Sequence, residues 1–111
     1  MAKNFIQAIP MTSIDSATFT GNYQAVNVAG LPEACQLIRM TNDSNVDVTV
    51  SYDGVNPHDY IRTGDRLELN LQANSQPNGY AASLKQGTVV YVAGAGGAGL
   101  VYLSGYYTPK N

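Results

Sequence analysis

Val46-Asp47-Val48-Thr49-Val50-Ser51-Tyr52, followed at once by Asp53-Gly54, decides the fold class. Apolar side chains alternate with Asp47, Thr49 and Ser51, so in an extended chain Val46, Val48, Val50 and Tyr52 share one face. Asp-Gly is a strong turn dipeptide and ends the run. Upstream, the polar cluster Thr41-Asn42-Asp43-Ser44-Asn45 reads as a hairpin connection, with Cys35 to Met40 as the partner strand.

The same period recurs outward. Arg66-Leu67-Glu68-Leu69-Asn70-Leu71 turns three leucines inward after a Thr63-Gly64-Asp65 turn, and His58 to Ile61 is expected to pair with it. Asn74 to Gly79 is turn chemistry, Tyr80 to Leu84 a further short strand, and Lys85-Gln86-Gly87 a turn. A last hairpin is expected to join Thr88–Val92 to Leu100–Ser104 through the seven small residues Ala93 to Gly99, able to approach another surface closely. The run Val89 to Val92 suggests a strand covered on both faces, the second cover supplied by a neighbouring subunit. Helix signals are nearly absent, with one turn possible at Leu31–Cys35. Turn signals every 8–12 residues predict an all-β chain, a small antiparallel sandwich or barrel of about seven or eight strands with an extended N-terminal arm. Residues 1–15 form that arm or an edge strand closed by Pro10, and residues 16–111 a single β domain.

The 111 residues suffice for one core. Only 13% are charged, about half the usual share of roughly 25%, which points to an extensive protein interface or to a surface kept soluble by Asn, Ser, Thr and Gln. A net charge of −2 with six scattered basic residues gives no footprint for nucleic acid. The stretch Val89 to Leu103 is interrupted by glycines and too short to span a bilayer, and the first residues lack the apolar core of a secretory signal. The expectation is synthesis and use without export.

Catalytic signatures are missing. Gly94 to Gly99 lacks the ending of a phosphate loop and is followed by a strand. No nucleophile elbow occurs, and nothing around the single cysteine, Cys35, or the single histidine, His58, forms a nucleophile motif. One His and one Cys argue against zinc. Asp53, Asp59 and Asp65 with the Asn56 carbonyl could offer oxygen ligands to calcium, but their spacing is not that of an EF-hand, and Asp beside strands is ordinary turn chemistry. Asp59 or Asp65 as a hydrolase group has only this loose arrangement behind it. No enzyme activity, cofactor or metal is expected.

Eight tyrosines and no tryptophan leave one aromatic theme. Tyr91, Tyr102, Tyr106 and Tyr107 crowd the C-terminal strands, with Tyr102 and Tyr106 on one face and Tyr107 opposite. They suit a protein contact, a sugar-stacking platform, or the plain β-preference of aromatics. The expected contact residues are Phe5, Ile6 and Ile9 of the arm together with Tyr91, Tyr102 and Tyr106.

Leu37 to Gly54, then His58 to Ile61, Arg66 to Leu71, and the ending Gly87-Thr-Val-Val-Tyr-Val92 with Val101 to Tyr107, together resemble small accessory structural proteins of tailed-bacteriophage virions. Residues 1–36 add nothing to the likeness. It implies a repeated β module, as capsid decoration or as a ring in the neck or tail. It further implies homo-oligomers bound to major capsid, portal or tail proteins, made in the host cytoplasm and residing in the virion. The rival from another class is a carbohydrate-binding, receptor-recognising sandwich. That reading calls for an exposed aromatic beside Asp or Asn near Asp53–Asp59 or Asn74–Asn78.

Overall fold

A computed structural model describes residues 6–70 and 84–107. Nine strands occur among them: β1 (Gln7–Ala8), β2 (Thr12–Asp15), β3 (Gln24–Ala25), β4 (Leu37–Ser44), β5 (Val48–Ser51), β6 (Asp59–Ile61), β7 (Arg66–Asn70), β8 (Tyr91–Ala93) and β9 (Gly99–Tyr107). They form two antiparallel sheets, as the alternation predicts. In the first, β9 is flanked by β4 and then β7 on one side, and by β1 and β2 in succession on the other. The second runs β3-β8-β5-β6. Val48, Val50, Ile61 and Val92 from the second sheet, with Val90 just before β8, close a core with Ile38, Met40, Val101 and Leu103 of the first.

The expected hairpins do not form. β4 pairs with β7 and β9, whereas β5 pairs with β6 and β8, so residues 45–47 arch from one sheet to the other. β6 and β7 likewise lie in different sheets, as do β8 and β9. Period-two alternation specifies which side chains face the core, not which backbone is the neighbour. Two strands joined by a short link can meet through side chains as well as through hydrogen bonds. The Tyr80 to Leu84 strand falls mostly outside the described residues; Leu84 itself bridges Cys35. Leu31–Cys35 forms bends rather than a helical turn, and a single 3₁₀ turn covers Ser16–Thr18, with Asp15 accepting from the Ala17 N–H at 2.9 Å.

Asn42 decides the arching. Fully buried on β4, it donates from Nδ2 to the carbonyls of Val46 (2.8 Å) and Ile61 (3.1 Å). Its Oδ1 accepts from the Ser44 N–H and hydroxyl. Its backbone N–H donates to the Asp65 carbonyl and its own carbonyl accepts from Gly64 N–H. One side chain thus ties the 45–47 arch and the Arg62–Asp65 arch to β4. Asn45 extends the tie to the glycine segment, receiving Ala98 N–H on Oδ1 at 2.8 Å and donating its own N–H to the Ala98 carbonyl. The small residues there do approach a surface closely, but it is the chain's own: a Cβ at Gly97 would lie 2.7 Å from Val46, and one at Gly94 2.9 Å from the Asp47 carbonyl.

β1 and β2 are an edge of the first sheet, paired along β9 from Gln7 opposite Tyr107 to Asp15 opposite Leu100. Ile9, expected as a contact residue, is a core residue instead: it is 9% exposed, with its N–H bonded to the Gly105 carbonyl.

Asn42→Ala leaves the Ile61 carbonyl and the Ser44 N–H without this partner in a dry interior, at a cost of about 2–4 kcal/mol. Urea unfolding followed by circular dichroism should show the midpoint fall by that equivalent, with the m-value unchanged.

Candidate functional site

The segment between β5 and β6 carries the densest polar constellation among the described residues. Asp53 opens it. Its Oδ1 accepts the N–H groups of Val55 (2.8 Å) and Asn56 (2.9 Å) and the Ser51 hydroxyl (2.8 Å), while Oδ2 takes Asn56 Nδ2. The Asn56 and then the Val55 N–H groups are the main reason its carboxyl lies well below the usual carboxylate range. Gly54, at φ +80, is needed for the turn and for space, since a Cβ would stand 3.1 Å from the Tyr91 ring.

His58 is placed by its neighbours. Its Nδ1 accepts Tyr52 N–H at 3.0 Å, which leaves Nε2 as the protonated nitrogen of the neutral ring, 3.9 Å from Asp53 Oδ2. The imidazole stacks on Tyr52, centroids 5.5 Å apart. Tyr52 donates to Asp59 Oδ2 at 2.8 Å; burial, then that carboxylate, raises the phenol well above its ordinary value. On the outward face of β6, Tyr60 donates to Asp47 Oδ2 at 2.7 Å, and Asp47 Oδ1 accepts Thr63 N–H. The Thr63 N–H, followed by the Tyr60 hydroxyl, lowers the Asp47 carboxyl, and Asp47 in turn raises the Tyr60 phenol. Thr49, Pro57, His58, Asp59 and Tyr60 line an open hollow of about 510 Å³.

These groups fix one another but do not converge as a metal cage. No group of three or more His, Cys, Asp or Glu side chains close enough to hold an ion occurs among the described residues. Asp65 sits apart, in the arch next to Asn42. Cys35 is buried in the core, where desolvation raises its thiol, and is not near His58 in the sheets: it bridges Leu84, whereas His58 N–H bonds Val50.

The expected contact residues separate. Tyr102 and Tyr106 stand on the outer face of the first sheet with Leu37, Arg39, Thr41, Leu100 and Ser104, all half-buried and opposite in parity to Val101 and Leu103. Tyr107 faces the other way and donates to Gln7 Oε1, as the strand parity requires. Tyr91 belongs to the other sheet, between Ala25 and Ser51 and against Gly54. Ile6 is 40% exposed beside β1, and Phe5 lies outside the described residues. Tyr60, not among the expected contact residues, is 57% exposed directly after Asp59, where the carbohydrate-binding alternative calls for an exposed aromatic beside an acid.

No family model matches the chain, and no curated protein matches it. A solved structure of Bacillus endospore appendages, described as a novel family of disulfide-linked pili, aligns with 99% of this chain and 96% of its own at 12% identity and a TM-score of 0.45. Pseudomonas aeruginosa AlgX aligns with 94% of this chain at 15% identity and a TM-score of 0.46, and the chain spans 27% of its length. Likenesses at this level carry no argument about function.

Because the folded Asp53 carboxyl is depressed, its stabilising share is complete above its unfolded value of ~3.9 and is lost as pH falls through the folded value. Asp53→Ala should therefore lower the melting temperature at neutral pH. Below about pH 4 it should lose stability less steeply than the parent, as read by thermal scans over a pH series.

Proposed function

We propose that the chain is a non-enzymatic structural module of a tailed-phage virion, joined to copies of itself through the outer face of the first sheet. The observation that carries the proposal is the layout of that face. Its centre is the row Thr41–Tyr102, with Arg39 two residues to one side on β4 and Asp43 two residues to the other. Consider a second copy stacked on it about a two-fold axis lying in the interface and crossing the strands at that row. Each Asp43 then sits over the partner's Arg39, Tyr102 meets its own counterpart and Leu100 covers Ser104, while Arg66, on the same row at the β7 edge, comes opposite its own counterpart at the rim, where solvent screens the two charges. Tyrosine supplies large contact area and a hydroxyl, which suits the centre of such a patch.

Arg39 is free to serve in this way. Its bond to Glu68 is 3.3 Å long between side chains 38% and 46% exposed, a surface pair of small worth. Ile6, at the margin of β1, is 40% exposed. The virion address, made in the host cytoplasm with capsid, portal or tail proteins as further partners, is supported by the resemblance carried by residues 37–107.

Light scattering behind a sizing column should give a defined multiple of 11.8 kDa. Tyr102→Glu, a solvated substitution on an outer face, should leave the circular dichroism unchanged and convert the chain to monomer. Asp43→Arg should weaken association, and adding Arg39→Asp should restore it. A parent chain monomeric at every concentration, or a Tyr102→Glu chain that still assembles, refutes the proposed interface.

A further inference from the structure

On the opposite sheet, we propose that the hollow beside Tyr60 binds a neutral saccharide, one pyranose ring stacking on the Tyr60 face. This goes beyond the structural reading and does not depend on it.

Tyr60 is an aromatic 57% exposed in a chain that half-buries its other described tyrosines. Its ring is nonetheless held in place, because its hydroxyl is tied at 2.7 Å to Asp47, which Thr63 N–H anchors from the other side. A side chain fixed at its tip while its ring faces solvent is a stacking surface already ordered before any ligand arrives. The hollow it borders falls within the roughly 300–1,000 Å³ usual for small-molecule sites and is open enough to admit a unit of a longer polymer.

The other lining groups fit hydroxyl-rich ligands. His58 presents Nε2–H as a donor because Tyr52 N–H occupies its Nδ1. Asp59 is a carboxylate acceptor whose orientation is set by the Tyr52 hydroxyl on Oδ2, and Thr49 brings a hydroxyl that can donate or accept. Pro57 adds a second apolar surface. Among the described residues no Lys or Arg lines the hollow and Asp59 does, so a neutral sugar suits the lining better than phosphate, sulfate or uronate; Arg62, the nearby cation acting on Tyr60, has the Asp47 carboxylate beside it. Sugar hydroxyls form hydrogen bonds with such donors and acceptors while the C–H face of the ring covers the aromatic.

The probe is a glycan array of bacterial surface polysaccharides and neutral hexose oligomers, followed by titration of the strongest glycan into ¹⁵N-labelled protein. Binding should perturb the amides of Thr49, His58, Asp59 and Tyr60. Tyr60→Ala should weaken it at least about tenfold. Tyr60→Phe, which keeps the ring but loses the Asp47 tie, should fall between that and the parent. Val28→Ser, at a position 83% exposed and not among those lining the hollow, should bind as the parent does. Silence of every glycan up to a protein concentration of about 1 mM, the weak end of useful affinity, overturns the proposal. So does binding that Tyr60→Ala leaves intact, or that is confined to acidic glycans.

Discussion

A buried asparagine holds this sandwich together in a way that its apolar residues alone do not. Apolar burial supplies the driving force for collapse, but it is indifferent to which strand hydrogen-bonds to which. Asn42 is not indifferent. With four side-chain hydrogen bonds and two through its backbone, it can be satisfied only if β4 turns into an arch, and if the chain returning from β6 packs its own arch beside it. Leaving those groups unpaired in a dry core is expensive, so alternatives that pair β4 with β5 as a simple hairpin are disfavoured. Ser16 does related work nearby, its hydroxyl on the Gly99 carbonyl and its carbonyl on Gly97 N–H, and Asn45 closes the set on Ala98. The arches at 45–47, 62–65 and 94–98 therefore gather at one pole of the sandwich.

With these arches at one pole, the outer faces of the two sheets differ in character. The face of β9 and β4 carries tyrosine, leucine and the charges of Arg39 and Asp43 spaced about a common row, with Arg66 and Glu68 of β7 at its rim. The outer side of β5, β6 and β8 carries Thr49, Ser51, Ala93 and two tyrosines in different settings: Tyr91 packed on Gly54, Tyr60 held out in solvent. A particle component that attaches by one face and presents the other would use such a division.

The strand positions from Leu37 onward were legible because alternation is a direct record of inside and outside. Val48 and Val50, Leu67 and Leu69, Val101 and Leu103 all face inward as the pattern requires. Pairing was not legible. Thr41 to Asn45 carries turn residues whether the chain turns within a sheet or between sheets, and the difference lies in where the Asn42 side chain finds its partners, a long-range fact. The glycines from Gly94 to Gly99 advertised close approach without saying to what, and Ile9 looked like part of an arm because its pocket is made by residues nearly a hundred positions away. Around the hollow, Asp53, His58 and Asp59 stood out in the sequence and an exposed aromatic beside them was one expectation, whereas the tie of Tyr60 to Asp47, thirteen residues earlier, was not legible.

Hydroxyl-radical footprinting of the assembled protein, with modification of each tyrosine read by mass spectrometry, tests the division of faces most directly. The account predicts that Tyr102 and Tyr106 are strongly protected relative to the dissociated chain, while Tyr60 reacts equally in both. Protection of Tyr60 with Tyr102 and Tyr106 still reactive would contradict it, because the chain would then be attaching by the face assigned to the ligand.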